Sequence, residues 1–349
     1  MNEDFFYLRV IEIIPETADA KSFRLQPVDG PVPPYRAGQF LTFILNRDGH
    51  EVRRSYSLSS TPGVDPYWQV TIKRVINGEI SRYLLDHLRV GDTLPALPPA
   101  GRFTLETGPK HRRNLILLGA GSGISPLFGL LKQVLHQEPQ SSVTLLYSNT
   151  RESAIIFREA LAQLLQQYPD RFRLWHLLSQ PSDDWTGLRG RLNNTRLEQM
   201  LPDLTRGNRQ DCLFYVCGPG DYMRMVQFTL LFSGFRPEQL RRENFVIEPV
   251  TLSPPPELSH DHRVLLRYRG QAYDIDVPAY KNILQAALDH GIALPYSCRG
   301  GRCSSCAARC LGGRVYMTIN DVLTAHDLAE GWVLTCTGYP ESEGVVIEV

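Results

Sequence analysis

The sequence predicts a multidomain chain: an antiparallel β-barrel, then an α/β domain built on a parallel sheet, then a small α+β domain. Three observations carry that expectation. The first hundred or so of the 349 residues are short β-branched and aromatic runs, separated by turn residues at spacings of about ten. From about residue 113, continuous apolar runs alternate with helical periodicities. Beyond a proline-rich stretch, four of the seven cysteines fall within "SCRGGRCSSCAARC", residues 297 to 310.

Each element follows from its local pattern. In the first region "FFYLRVIEII", "SFRLQPV", "QFLTFILN", "RRSYSLSS" and "WQVTIKRVI" read as strands. "EISRYLLDHL" is the one helical insertion, apolar at Ile80, Tyr83, Leu84, His87 and Leu88. The second region opens with strand "NLILLGAG" and helix "SPLFGLLKQVLHQ". Strand "VTLLYS", helix "ESAIIFREALAQLLQQY", strand "FRLWHLLS", helix "TRLEQML", strand "CLFYVCG" and helix "DYMRMVQFTLLFSG" follow. These strands lack polar alternation, as a sheet buried on both faces requires. "PVTLSPPPELSHD" has prolines and no apolar period, and reads as an extended linker. The last region holds strands "RVLLRY" and "QAYDIDV", helix "NILQAALDHG", the cysteine loop and a closing strand "GVVIEV". The expected boundaries are 1–110, 111–248, a linker at 249–261, and 262–349.

Apolar content of 42% and charged content of 21% are ordinary for a globular protein. A formal net charge of zero gives no global field to draw in nucleic acid or an anionic membrane, and neither is expected as a partner. The start, "MNEDFFYLRV", has acids where a signal peptide needs a basic region, and no run reaches the length of a membrane span. The expectation is a cytoplasmic protein, where cysteines point to metal rather than to disulfides.

The cysteine spacing is Cys298-x4-Cys303-x2-Cys306, with Cys336 far along the chain. That is the plant-type pattern for a [2Fe–2S] cluster, three thiolates on one loop and a fourth elsewhere. The sulfurs also need backbone N–H donors. Gly300 and Gly301 let the loop wrap closely, and Ser304 and Ser305 are small. The alternative is a zinc site using Cys298, Cys303, Cys306 and Cys310, although zinc loops more often carry paired C-x2-C units. In the cluster reading Cys310 is a bystander at the start of a strand, acting as a small hydrophobe.

"RRSYSLSS" places Arg54, Tyr56 and Ser57 on a strand, with Arg54 and Tyr56 on one face. A flavin nucleotide asks for such a set: a cation and hydroxyls for pyrophosphate, an aromatic ring against the isoalloxazine. An exposed strand would carry the same residues. The context adds "NGEISRYL", where Gly78 and Ser81 open a helix whose N–H groups can meet a phosphate. Ser55 and Lys73 complete the expected flavin set. "GAGSGISP" lies at a strand-to-helix turn, where Gly119, Gly121 and Gly123 allow close approach of a dinucleotide and Ser125 supplies a hydroxyl. A packing turn would also use these glycines. A second strand end, "CGPGDYM", offers Cys217, Gly218, Pro219 and Met223.

Residues 1 to about 246 resemble the ferredoxin–NADP reductase superfamily, through "YRAGQFLTF", "RRSYSLSS", "GEISRYL", "GAGSGISPL", "YSNTRESAIIFREAL", "CGPGDYM" and "ENF". From about 262 the chain is similar to a plant-type ferredoxin, including "LPYSCRGGRCSSCAARCLGGRV" and "GWVLTC". The order resembles the reductase subunits of phenylacetyl-CoA epoxidase and of Rieske oxygenases. Ser125 stands where that family more often has Thr, and Asn244 where it often has Arg.

The resemblance implies an FAD barrel, a nicotinamide-binding domain and a β-grasp ferredoxin domain. It implies an oxidoreductase that passes electrons from NAD(P)H through FAD and the cluster to a protein acceptor such as an oxygenase or hydroxylase. A free-standing reductase with soluble acceptors and a redox-sensing module are the alternatives. It further implies that Tyr56 stacks on the flavin, and that Arg54 holds the pyrophosphate with Ser57 and Ser81. Ser125 and Cys217 would lie near the nicotinamide, and Glu243 would poise the reacting edge of the flavin. At the expected adenosine ribose, "SNTRES" presents Arg151, with Arg158 one helical face on. An arginine there favours NADPH, and Glu152 favours NADH. NADPH is the expectation, with NADH possible.

Overall fold

The computed structural model describes residues 5–28, 33–47, 49–245 and 260–349. The expected linker lies outside the described residues except for its last two positions. Phe6–Glu243 forms one compact unit; the second contains, among the described residues, 260–349.

The first unit begins with β1 (Phe6–Thr17), β2 (Ala20–Pro27), β3 (Phe40–Arg47), β4 (His50–Ser57), β5 (Trp68–Lys73), α1 (Glu79–His87) and β6 (Thr93–Ala100). The strands are antiparallel in the order β4-β3-β6-β1-β2-β5. Leu58, just past β4, bridges Val70 of β5, so the two edges meet and the sheet closes as a barrel. Alternate residues of each strand fill it, including Leu8, Phe23, Leu41, Phe43 and Ile72, with Ile80 and Leu84 of α1. The buried face of α1 is Ile80, Ser81, Leu84 and Leu85, with Leu88 buried just past its end; His87 is exposed and stacks on Tyr83 at 4.9 Å.

The parallel sheet follows: β7 (Asn114–Ala120), α2 (Ile124–Gln137), β8 (Ser142–Asn149), α3 (Arg158–Gln167), β9 (Phe172–Leu178), β10 (Leu188–Arg189), α4 (Asn194–Leu204), β11 (Cys212–Cys217), α5 (Gly220–Phe232) and β12 (Leu240–Glu243). Its order is β10-β9-β8-β7-β11-β12, all parallel. Succession reverses between β7 and β11, which makes their carboxyl ends a topological switch point. The expected helix over "ESAIIFREAL" is shorter. Phe157 takes a left-handed φ of 60° and α3 starts only at Arg158. Ile155, Ile156 and Phe157 turn into the core instead. Arg151 and Arg158 therefore do not share a helical face.

Barrel and sheet are joined by buried polar contacts. Thr61 Oγ1 donates to Gly129 O at 2.8 Å and Tyr215 Oη to Thr104 O at 2.8 Å. Lys132 Nζ meets Asp65 at 2.5 Å.

The second unit contains β13 (His262–Tyr268), β14 (Gln271–Val277), α6 (Ile283–Asp289), β15 (Ala307–Gly312), β16 (Val315–Met317), α7 (Ala325–Ala329), β17 (Trp332–Leu334), β18 (Gly338–Pro340) and β19 (Val345–Glu348). The main sheet runs β14-β13-β19-β15-β17, with β13 antiparallel to β14 and parallel to β19. Ile283, Leu284 and Ala287 of α6 bury against Val264, Leu266 and Ile347. A mixed sheet curled around one helix is the β-grasp shape. Among the described residues, no helix is long and apolar enough to cross a membrane.

Candidate functional site

The cysteine loop connects α6 to β15 and carries Cys298, Cys303 and Cys306; Cys336 follows β17. Thr335 ties the two segments together, its N–H donating to Cys306 O at 3.1 Å and its Oγ1 to the same oxygen at 3.2 Å. The Cys298 N–H donates to Cys303 Sγ at 3.4 Å, and the Gly300 N–H to Cys298 Sγ at 3.4 Å. Hydrogen bonds with the Cys303 and Cys336 side chains hold the Cys298 thiol far below its usual range; N–H groups of Gly300 and Arg302 add to this, and burial opposes it. Contact with Cys336 likewise pulls Cys306 down. The same contacts push the Cys303 and Cys336 thiols up. The four sulfurs thus form a chain of contacts with backbone N–H donors beside it, and their convergence fits the four ligands of a [2Fe–2S] cluster.

The loop wraps through left-handed φ at Arg299 (51°), Gly301 (71°) and Ser304 (56°). A Cβ on Gly301 would lie 2.5 Å from Ile319 O, so both conformation and space demand glycine there. Cys310 stands apart, inside β15 rather than at its start, half-buried, its thiol donating to Gly312 O at 3.2 Å.

On β4, Arg54 and Tyr56 share a face, opposite Phe43 and Leu41 of β3. Burial drives the Tyr56 hydroxyl well above its ordinary range, and the nearby Arg54 charge opposes the shift. Arg54 Nη1 donates to Arg53 O at 2.7 Å. Ser55 Oγ lies 2.9 Å from Thr42 Oγ1, and Lys73 Nζ 3.6 Å from Asp19. Arg47, at the end of β3, sits 4.2 Å over the Tyr83 ring and pairs with Glu79 at 3.3 Å, which docks α1 against that side of the barrel. Gly78 caps α1 without a side-chain hydrogen bond, so first-turn N–H groups are free for an anion. The Ser81 hydroxyl accepts from Val75 N–H at 3.1 Å and donates to Gly78 O at 3.3 Å, folding the turn that presents them. This strand and helix end fit a flavin's ring and phosphates.

At the switch point Cys217 lies in register between Gly119 of β7 and Glu243 of β12. A Cβ on Gly123 would fall 2.2 Å from Cys217 O, and one on Gly218 2.9 Å from Ala120 Cβ. The two expected dinucleotide turns therefore touch backbone to backbone. Gly121 meets nothing within 4 Å but has φ of 55°, so its conformation rather than space selects glycine. Tyr147 Oη donates to Gly121 O at 2.9 Å and holds the turn. Ser125 is buried, its Oγ donating to Ser122 O at 3.0 Å. Pro219 caps α5 and Met223 is buried in its first turns.

Ser57, from the barrel, donates through Oγ to Glu243 Oε2 at 3.1 Å. Burial raises the Glu243 carboxyl to about 8, with the Ser57 hydrogen bond opposing. Burial, then the Glu243 charge, pushes the Cys217 thiol far up as well. Cys217 is therefore a neutral thiol, not a thiolate nucleophile. Farther along the same sheet edge Arg151 Nη2 lies 3.4 Å from Gln180 Oε1. Residues not anticipated from sequence are Tyr147 and Gln180. Only position marked them: one two residues before "NTRES", the other at the next strand end.

The fold and these sites define a three-cofactor oxidoreductase. Residues 8–105 match the family "Oxidoreductase FAD-binding domain", 117–228 "Oxidoreductase NAD-binding domain" and 266–341 "2Fe-2S iron-sulfur cluster binding domain". The chain is 33% identical over 351 residues to one of the subunits of 1,2-phenylacetyl-CoA epoxidase from Escherichia coli, covering 99% of this chain and 97% of that one. It is 33% identical over 357 residues to the ferredoxin reductase component of 3-ketosteroid-9-alpha-monooxygenase from Mycobacterium tuberculosis, covering 97% and 94%. Phthalate dioxygenase reductase shares the fold, with a TM-score of 0.59 at 21% identity over 99% of this chain and 98% of that one. The chain belongs to the family of reductases with FAD-, NAD- and [2Fe–2S]-binding domains that contains these two relatives.

Proposed function

We propose that this reductase draws electrons from NADPH and delivers them to an oxygenase or hydroxylase partner. Bound FAD and the cluster would supply the redox chemistry, uptake of a hydride and release of single electrons. The observation that carries the reading is the convergence of Ser57, Cys217 and Glu243 where the barrel's flavin strand meets the switch point of the nucleotide sheet. A nicotinamide laid over Gly119–Gly123 would there reach a flavin held by β4.

In this reading Arg54 and the α1 N-terminus hold the pyrophosphate, with Ser57 and Ser81 alongside, and Tyr56 covers the ring. Ser125 and Cys217 border the nicotinamide, and the buried, neutral Cys217 excludes water without competing for the hydride. Glu243, protonated near neutrality, can hold or donate a proton at its Oε atoms. Arg151 faces the 2′-phosphate. Names of the relatives support the partner class: one is a subunit of an epoxidase and the other the ferredoxin reductase component of a monooxygenase.

Arg151→Ala tests the nucleotide assignment. Loss of a charged contact to phosphate is expected to raise KM for NADPH roughly ten- to a hundredfold and to leave KM for NADH within about twofold. Equal effects on the two nucleotides contradict it.

A further inference from the structure

Resting on the NADPH reading, we infer that Ser182 is a specificity-determining residue: it holds the Glu152 carboxylate and so leaves the adenosine ribose position to Arg151. Sequence alone sets Arg151 and Glu152 side by side with opposite preferences. The structure separates them.

Past the ends of β8 and β9 the two chains continue as a paired ribbon. Ser179 N–H donates to Asn149 O at 3.0 Å and Gln180 N–H to Thr150 O at 2.7 Å. Arg151 is extended, φ −149° and ψ 172°, so its side chain and that of Glu152 leave on opposite sides. The Arg151 guanidinium contacts the Gln180 side chain at 3.4 Å. The Glu152 carboxylate accepts three hydrogen bonds from the two donors of one residue: Ser182 N–H to Oε1 at 3.0 Å and to Oε2 at 3.3 Å, and Ser182 Oγ to Oε1 at 2.6 Å.

A carboxylate that discriminates for NADH must offer its oxygens to a ribose diol. One held by Ser182 on the side of the strand away from Arg151 is not turned to do so. The same tether keeps a negative charge from turning toward a 2′-phosphate. Ser182 is itself fixed independently, because Arg189 Nη2 donates to Ser182 O at 3.0 Å, Asp183 O at 2.7 Å and Trp185 O at 2.7 Å. Removing the Ser182 hydroxyl therefore takes away the shortest of the three hydrogen bonds and loosens Glu152, which keeps only the N–H contacts, without releasing the loop.

The test is equilibrium binding of 2′,5′-ADP and 5′-AMP to the holoenzyme by calorimetry, in wild type, Ser182→Ala and Ser182→Ala/Glu152→Ala. Wild type is expected to favour 2′,5′-ADP. Ser182→Ala is expected to cut that preference about three- to tenfold, the scale of one charge-assisted hydrogen bond at an exposed site. The second substitution is expected to restore it, which a loop that had merely loosened would not do. A wild-type preference that Ser182→Ala leaves within twofold, or that the double variant fails to recover, overturns the role of Ser182 alone. Wild type that binds both nucleotides equally overturns the NADPH reading and the inference with it.

Discussion

Ser57 Oγ donates to Glu243 Oε2 at 3.1 Å, joining the end of a barrel strand to the end of the last strand of the parallel sheet across 186 residues of sequence. The bond has a pH signature. Burial raises the Glu243 carboxyl from 4.5 to about 8. Between those values the unfolded chain releases the proton and the folded one keeps it. The stability contribution is thus full below pH 4.5 and lost as pH rises through 8, by up to about 1.4 kcal/mol per pH unit. Glu243→Gln removes that dependence. Urea midpoints from pH 5 to 8.5 are expected to show the variant gaining on wild type as pH rises; a constant difference contradicts the buried, neutral carboxyl.

Much of this was legible in the sequence, but the contact itself was not. Ser57 and Glu243 both sit in recognisable motifs. The strand that delivers Glu243, "LRRE", is too short and too polar to read as one, and forms because it lies along β11 in register with Phe214–Cys217. Strand β6, "TLPALPPA", was hidden by its prolines. It pairs with β1 through Thr93–Ala96 and with β3 farther on, and Pro98 and Pro99 fall where the β3 register slips between Phe40 and Thr42. The over-long helix at 152–168 fails at Phe157, whose left-handed backbone no periodicity signals. The iron–sulfur domain was legible because cysteines at that spacing have few other uses.

Gly123→Ala places a Cβ 2.2 Å from the Cys217 carbonyl oxygen, a backbone atom that cannot turn aside. Overpacking of this kind costs about 1–3 kcal/mol. Thermal melting is expected to fall by roughly 2–10 °C, together with weaker NADP+ binding. An unchanged Tm and affinity would separate the two glycine turns.

Replacing any one of Cys298, Cys303, Cys306 or Cys336 by serine is expected to abolish the visible absorbance of the cluster and lower iron below two per chain. Cys310→Ser is expected to retain both, because its thiol bonds to Gly312 O inside β15. Loss of iron in that variant would assign the ligands differently.

The central claim, that electrons leave through the cysteine site, is tested most directly by steady-state turnover of Cys298→Ser. With NADPH as donor, ferricyanide reduction is expected to stay within about twofold of wild type, because the barrel and nucleotide sheet are untouched. Cytochrome c reduction by the same preparation, with full flavin content, is expected to fall at least tenfold. Cytochrome c reduction at the wild-type rate by this cluster-free protein would contradict the account.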